Sequence, residues 1–193
     1  MSKFIVVSGP SGVGKGTLIK MLQEKYKELD KKVYLSVSCT TRSPREGEIE
    51  GVSYYFISEE EFLTRVKNGD FLEYNKYGTG KYYGTPKEVA LNKLNDGYDV
   101  ILEIDVNGYL EVKKNYPDCI GVFITAPSLD NLRSRLISRG TETMDVIEQR
   151  IATAQEELKK VHLYDRVIIN YEGEVEKAFQ EFYDIINDEA INK

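Results

Sequence analysis

The sequence predicts an α/β protein in which a parallel β-sheet is covered by helices on both faces. Its 193 residues suit one compact domain with a sizeable core. Short apolar runs are typical of buried parallel strands, at residues 4–7, 100–102, 121–124 and 167–169. Helical patterns lie between and after them, at residues 87–95, 107–115, 128–138, 145–161 and 174–190. Strands that alternate with helices in this way indicate parallel pairing.

A glycine-rich segment follows the first apolar run and precedes a helical repeat that begins at Leu18. Its pattern is Gly, four residues, then Gly-Lys, and it consists of Gly9, Pro10, Ser11, Gly12, Val13, Gly14, Lys15, Gly16 and Thr17. Glycines let successive backbone N–H groups turn toward an anion, the helix N-terminus adds unpaired donors, and Lys15 adds a full charge. The segment predicts a phosphate-binding loop (P-loop) for a nucleoside triphosphate. The alternative is a glycine turn that only joins strand to helix.

One position departs from the usual loop. Gly16 stands where a Ser or Thr hydroxyl normally coordinates Mg²⁺, and Thr17 follows it as a candidate contact for an α-phosphate. We therefore expect Mg²⁺ to be held by phosphates, water and an acid elsewhere in the chain. This departure favours a small kinase over a GTPase switch.

Charge and composition exclude several classes of function. The net charge of −6 argues against a broad nucleic-acid surface, and no apolar run is long enough for a membrane span. Cys39 and Cys119 lack metal-ligand spacing, so we expect packing roles and a reducing, cytoplasmic location. The single histidine, His162, follows a helical pattern and is expected to be structural.

Residues 34–86 break the alternation of strands and helices. Short strand patterns, many turns and one helix occur here, and Ser58 with Glu61 forms a capping-box pattern at the start of that helix. Half of the chain's 14 tyrosines lie in this part: Tyr34, Tyr54, Tyr55, Tyr74, Tyr77, Tyr82 and Tyr83. We predict a small, mixed β insertion.

Two arginines in the insertion are suited to binding a phosphate. Arg42 and Arg45 flank Pro44, which stiffens the loop, and a guanidinium can form forked hydrogen bonds to a phosphate. Tyr54 and Tyr83 could add hydroxyl donors. The alternatives are a solvated basic loop and tyrosines that serve only as core.

Two acids follow the apolar run at residues 100–102. Glu103 and Asp105 are two residues apart, which would place both on one face of a strand, at the edge of the sheet where ligands gather. One could order a Mg²⁺-bound water and the other could accept hydrogen bonds from a base. Acids at an exposed strand end are the alternative.

A third group of charges surrounds Gly140. Arg135 and Arg139 precede this turn and Arg150 follows it, so two helices could form a lid that brings guanidiniums over a triphosphate. Arginines in a water-poor site stabilise the charge on a transferring phosphoryl group. A charged helix surface is the alternative.

Taken in order along the chain, these motifs resemble those of guanylate kinases. The resemblance rests on the phosphate loop, residues 38–48, 71–74 (FLEY), 82–85 (YYGT), 101–105 and 139–143 (RGTET), and covers essentially the whole chain. It implies a P-loop three-layer α/β fold in a single domain, residues 1–193. Within it the resemblance implies a core at 1–33, 87–126 and 158–193, a GMP-binding region at 34–86 and a helical lid at 127–157.

The resemblance also implies residue roles. The implied GMP-binding residues are Ser38, Arg42, Arg45, Glu48, Tyr54, Glu73, Tyr83, Thr85 and Asp105. Among these the arginines and tyrosines would hold the phosphate, and Ser38, Glu73, Thr85 and Asp105 would contact guanine. The phosphate loop, Arg135, Arg139 and Asn170 would bind ATP with Mg²⁺, and Glu103 is a candidate to hold Mg²⁺ through water. The implied catalytic residues are Lys15, Arg42, Arg139 and Arg150.

The activity implied by the resemblance is transfer of the ATP γ-phosphoryl group to GMP or dGMP, in purine nucleotide metabolism. One alternative is a peptide-binding scaffold, whose phosphate loop tends to be degraded; the loop here is intact. Another is a kinase for a phosphorylated sugar, against which Glu73 and Asp105 argue. The sequence leaves a homo-oligomer open. The stretch between Glu73 and Tyr83 is a residue longer than in some family members, so the path of the turn at residues 77–81 stays open.

Overall fold

The computed structural model describes residues 2–76, 80–140 and 142–187, which form two compact units. Within the described residues, the first unit contains residues 2–4, 32–102 and 107–119. The second unit contains residues 5–31, 103–106 and 120–187. Predictions for Tyr77, Gly78 and Thr79 in the turn, for Thr141, and for residues 188–190 of the last helix lie outside the described residues.

Strands alternate with helices over much of the chain, and short strands occur in succession between residues 33 and 86, as predicted. The strands are β1 (Phe4–Ser8), β2 (Val33–Leu35), β3 (Cys39–Thr40), β4 (Tyr55–Phe56), β5 (Phe71–Lys76), β6 (Tyr82–Pro86), β7 (Asp99–Glu103), β8 (Ile120–Thr125) and β9 (Arg166–Ile169). The helices are α1 (Lys15–Glu28), α2 (Glu59–Asn68), α3 (Lys87–Asn95), α4 (Val106–Asn115), α5 (Leu129–Ser138), α6 (Met144–Leu158) and α7 (Val175–Asn187). None of the helices in the described ranges is long and apolar enough to cross a membrane.

The second unit is built on parallel strands. β1 pairs with β8 from Ile5–Ile120 onward, and β8 pairs with β9 from Val122–Arg166 onward. β1 and the first five residues of β8 are buried, as expected for strands covered on both faces. Helix α1 buries Leu18, Ile19, Leu22 and Tyr26, which recur on one helical face. The predicted α/β core with a parallel sheet is confirmed.

The first unit holds a parallel pair and a separate mixed sheet. β2 pairs with β7 in parallel, and the second sheet has the strand order β4-β3-β6-β5. In that sheet β3 and β4 are parallel, whereas β6 runs antiparallel to both β3 and β5. Helix α2 begins after Ser58, whose hydroxyl accepts from the Glu61 backbone N–H as predicted, and it buries Phe62. The rings of half-buried Phe71 and Tyr82 stack on the buried Phe62 ring.

A β-bulge in β5 determines which side chains face inward. Phe71 pairs with Pro86 and Tyr74 pairs with Gly84, so three residue steps on β5 oppose two on β6. The extra residue breaks the alternation of a regular strand. Leu72 and Glu73, which are consecutive, are therefore both buried.

Two boundary predictions are wrong. Helix α6 ends at Leu158, short of residue 161, and Val161–Leu163 form a 3₁₀ turn that contains His162, because the chain turns back there to bury Tyr164 and enter β9. Strand β7 ends at Glu103. Asp105 therefore lies beyond the strand, just before α4, and the argument that both acids share one strand face does not hold.

Candidate active site

The glycine-rich loop lies between β1 and α1 in the second unit, and its glycines are required by geometry. Gly9, Gly12 and Gly14 all have positive φ angles, of 137°, 95° and 96°. A Cβ atom on Gly9 would lie 1.9 Å from the carbonyl oxygen of Ile124, which is sterically impossible. The loop is therefore a tight turn that leads directly into the N-terminus of α1, a geometry suited to binding an anion.

Lys15 folds back across this loop. Its Nζ donates to the carbonyl oxygens of Gly9 at 2.6 Å and Pro10 at 3.0 Å. Burial lowers the pKa of Lys15 below its ordinary value, while Glu103 and Glu157 oppose that shift. A cation with little water around it attracts a phosphate more strongly than an exposed one does.

Two of the predicted lid arginines are bonded to the phosphate loop or to Asn170, whose side chain contacts that loop. Arg150, on α6, donates to the Ser11 hydroxyl and pairs with the Glu142 carboxylate. Arg135, on α5, donates to the backbone carbonyl of Asn170 at 2.7 Å. Arg139, at the C-terminal end of α5, lowers the pKa of Lys15 electrostatically, as Arg150 does. The second unit thus gathers positive charge around the phosphate loop.

The Asn170 side chain packs against the backbone of the phosphate loop. Its side-chain Nδ2 donates to the Val13 carbonyl at 2.9 Å and lies 2.6 Å from the position that a Gly14 Cβ would occupy. The residue is only 7% exposed, and its Oδ1 is buried without a hydrogen-bond partner among the described residues. One N–H of the Asn170 amide therefore binds the loop backbone, which fixes the side chain against the loop.

A second cluster lies in the first unit, and we call it the arginine cluster: Arg42, Glu48, Tyr54 and Tyr83. Two nitrogens of Arg42 donate to the two carboxylate oxygens of Glu48, each at 2.6 Å. The Arg42 Nε donates to the Tyr83 hydroxyl at 3.1 Å, and its guanidinium lies 4.9 Å from the centre of the Tyr54 ring. All four residues are among the predicted GMP-binding positions.

The bonds of Arg42 limit how it could bind a phosphate. Its Nη1 also donates to the Ser43 carbonyl at 3.0 Å, so four of its five N–H donors have partners within the described ranges. Neighbouring Arg45 has an exposed side chain, and its backbone N–H donates to Glu48 at 2.7 Å. A phosphate at this cluster would take the remaining Arg42 donor or share the guanidinium with Glu48.

A buried polar pair lies on the adjacent strands of the same sheet. The Thr85 hydroxyl donates to Glu73 Oε1 at 2.6 Å, and both residues are buried. Tyr83 and Thr85 are two residues apart on β6, so they share one face at a spacing of about 7 Å. Strand β6 therefore carries Tyr83 of the arginine cluster and Thr85, the partner of the buried Glu73 carboxylate on β5.

The remaining predicted site residues lie in both units: Ser38 in the first, and Asp105, Gly16 and Thr17 in the second. Half-buried Ser38 precedes β3, and its carbonyl accepts from the Tyr55 backbone N–H at 2.9 Å. Asp105 belongs to the second unit. Gly16 and Thr17 are both exposed on the first turn of α1, and a Cβ atom added to Gly16 would meet no other described atom within 4 Å.

Comparison with known proteins now gives the family. The family model described as guanylate kinase matches residues 1–189. The chain belongs to the guanylate kinase family. Proteins named guanylate kinase from Clostridium tetani and Enterococcus faecalis are each 47% identical to it over 185 residues, or 96% of this chain and 85% and 88% of theirs. A crystal structure of guanylate kinase from Anaplasma phagocytophilum matches with a TM-score of 0.75 at 28% identity, over 97% of this chain and 86% of that one.

Sequence reasoning missed one acidic residue of this guanylate kinase family member. Glu157 is half-buried on α6, and burial raises its pKa, while Lys15 lowers it and Asp105 raises it further. It follows Arg150 by seven residues, which is two helical turns and therefore the same helix face. That spacing was the available signal, because Arg150 already marked the face of α6 that meets the loop.

The Arg42–Glu48 pair predicts an unusual acid titration. Hydrogen bonds from Arg42, and from the Arg45 backbone, lower the pKa of Glu48 to about 2. Because the folded-state pKa is depressed, the pair stabilises the fold above the ordinary Glu range and loses that contribution as the pH falls toward 2. Carbon NMR of the Glu48 carboxyl group should give a midpoint at about 2, and Arg42→Ala should raise it toward the ordinary range, because the bond from the Arg45 backbone remains. A midpoint near 4.3 in the parent would contradict the pairing.

Proposed function

We infer that this chain is an enzyme, a kinase that transfers the γ-phosphoryl group of ATP to GMP or dGMP, giving ADP and GDP or dGDP. This conclusion rests on two groups of residues suited to binding phosphate in a chain of the guanylate kinase family. One is the glycine-rich loop with Lys15 in the second unit, and the other is the arginine cluster in the first unit. A nucleoside monophosphate kinase needs two such clusters, because both of its substrates are anionic.

On the ATP side, we propose that the backbone N–H groups of the phosphate loop and Lys15 bind the β- and γ-phosphates. Arg139 and Arg150 would neutralise the negative charge that spreads over the transferring group. Arg135 would also bind ATP; its side chain, on α5, donates to the backbone carbonyl of Asn170. No covalent intermediate is needed, since positioning and charge neutralisation account for most of the catalysis of phosphoryl transfer.

On the GMP side, the proposal assigns the phosphate to Arg42, Arg45, Tyr54 and Tyr83, with Glu48 orienting Arg42. Glu73 and Asp105 would accept hydrogen bonds from guanine, which has a ring N–H and an exocyclic amine next to each other. Ser38 and Thr85 would support these base contacts. The Thr85 bond to Glu73 supports this assignment, since it holds one carboxylate oxygen in a defined place.

Mg²⁺ bound with ATP is part of the proposal. The described residues contain no cluster of three or more side chains able to hold a metal ion, and Gly16 has no hydroxyl to offer. Glu103 acts on Lys15 electrostatically, so its carboxylate lies near the loop, and carboxylate oxygens suit Mg²⁺ that retains its water. Glu103 would hold the ion through a water molecule. The ion would neutralise phosphate charge during transfer.

The remaining assignments stay proposals. We keep the division into a core, a GMP-binding region at 34–86 and a lid at 127–157, and we leave a homo-oligomer open. We also propose a cytoplasmic location and no nucleic-acid or membrane partner. The location is supported by Cys39 and Cys119, which are buried as thiols rather than joined in a disulfide.

A screen of phosphoryl acceptors tests the proposed function. Purified protein is incubated with ATP and Mg²⁺ and with GMP, dGMP, AMP or ribose 5-phosphate, and products are separated by ion-exchange chromatography. The proposal requires equal amounts of ADP and GDP with GMP, and of ADP and dGDP with dGMP. Faster turnover with the sugar phosphate, or no turnover with any acceptor, would overturn it in favour of a sugar-phosphate kinase or a binding scaffold.

A further inference from the structure

Gly108, the third residue of α4, lies directly against the Glu73 carboxylate in the first unit. A Cβ atom on Gly108 would lie 2.6 Å from Glu73 Oε2, 3.1 Å from Cδ and 3.3 Å from Cγ. The first of these distances is shorter than real Cβ contacts, so a side chain at position 108 and the present Glu73 conformation exclude each other.

The glycine is explained by space rather than by backbone conformation. Gly108 is not among the residues with a positive φ angle. Within a helix, glycine is less favourable than alanine, because it loses more backbone freedom on folding. The helix itself is held by Tyr109 and Val112, which are fully buried. The carboxylate at the end of the Glu73 side chain is therefore the group that would move if position 108 gained a methyl group.

Glu73 is confined on its other sides as well. The bulge in β5 turns it inward, and the Thr85 hydroxyl holds Oε1 at 2.6 Å. Gly108 closes the side occupied by Oε2. The absence of a side chain at Gly108 therefore leaves the room that the Glu73 carboxylate occupies.

We propose that Gly108 is a specificity-determining positioning residue, which lets the Glu73 carboxylate take the place from which it selects guanine. This inference rests on the proposed function, in which Glu73 accepts hydrogen bonds from the base. Gly108 acts through Glu73 and does not itself touch the substrate. Misplacing a recognition group by about 1 Å costs roughly 10²-fold in efficiency, because the hydrogen bonds that select the substrate lose their geometry.

The test is Gly108→Ala in the full chain. We expect kcat/KM for GMP to fall roughly 10²-fold, mainly through KM, and the ratio of GMP to AMP efficiency to fall with it. KM for ATP should stay at the parent value. The melting temperature should not fall by more than a few degrees, because only the end of one side chain has to shift. Glu111→Ala, at an exposed position of the same helix, should leave all four quantities unchanged.

A double variant distinguishes positioning from general damage. Glu73→Asp shortens the side chain by one methylene and makes room for the alanine methyl group, so Gly108→Ala with Glu73→Asp should recover part of the GMP selectivity lost in Gly108→Ala. Such coupling between two contacting residues is measured by a double-mutant cycle. If Gly108→Ala does not fold, the double variant should fold, because the clash is with Glu73.

The results separate two failures. Equal efficiency for GMP and AMP in the parent would overturn the proposed function. Strong GMP selectivity in the parent, kept at the parent value in Gly108→Ala, would overturn only this inference. Additive effects in the double-mutant cycle, or a double variant that fails to fold together with Gly108→Ala, would also overturn it.

Discussion

AMP is expected to be a poorer phosphoryl acceptor than GMP by roughly 10⁴–10⁵ in kcat/KM, the largest effect that we predict. An ionised carboxylate only accepts hydrogen bonds, and guanine offers two adjacent donors to it. Adenine presents an acceptor at the corresponding ring nitrogen and lacks the exocyclic amine at that position. With AMP bound, the buried Glu73 carboxylate would face the adenine ring nitrogen, which donates no hydrogen bond, and water could not replace the missing donor.

Glu73→Gln tests the physical basis of this selectivity. Glutamine keeps the length of the side chain and adds an N–H donor, which a carboxylate lacks and which the adenine ring nitrogen can accept. We expect GMP efficiency to fall and the GMP-to-AMP ratio to narrow. Glu61→Gln is the matched control, because this carboxylate pairs with Arg65 on the exposed face of α2. A parent enzyme that uses both acceptors equally well would contradict the guanine assignment.

Lys15→Ala is expected to lower the rate of phosphoryl transfer by roughly 10²–10³-fold. The substitution removes the half-buried cation that we propose binds the phosphates, and losing such stabilisation of the transition state costs about 3–4 kcal/mol. The fold should survive, because burial already lowers the pKa of Lys15 and so opposes its charged form. Steady-state kinetics and thermal unfolding of the same preparation give both quantities.

Lys20→Ala provides the control for that experiment. Lys20 lies on the same helix, with its side chain 76% exposed and a 3.9 Å contact to Glu24. Its removal should change neither turnover nor melting temperature measurably. A folded Lys15→Ala protein that kept near-parental turnover would show that the glycine-rich loop is not the ATP site.

The parts of the fold that depend on local pattern could be predicted from the sequence. Buried strands follow from continuous apolar runs, and the start of α1 follows from the glycine loop, whose shape glycine alone permits at Gly9. The predicted end of β7 was wrong because Glu103 and Asp105 alternate as strand residues do. Only hydrogen bonding in the folded chain shows that α4 follows at once.

The candidate site was predictable as a set of residues but not as a set of contacts. The bulge that buries Glu73 depends on strand register, which no single strand sequence contains. The bidentate bond between Arg42 and Glu48 and the Glu73 contact of Gly108 join residues 6 and 35 positions apart, and their geometry depends on how the chain folds back. Glu157 acts on Lys15 from a helix far along the chain.

The fate of the γ-phosphoryl group in a single turnover distinguishes transfer to GMP from hydrolysis of ATP. ATP labelled in its γ-phosphate is mixed with excess enzyme and Mg²⁺, with and without GMP, and the labelled products of a single turnover are identified. We expect the label to appear in the β-phosphate of GDP, in equal amount to the ADP formed, and little ATP to be consumed without GMP. Label released as inorganic phosphate at the same rate with and without GMP would contradict it.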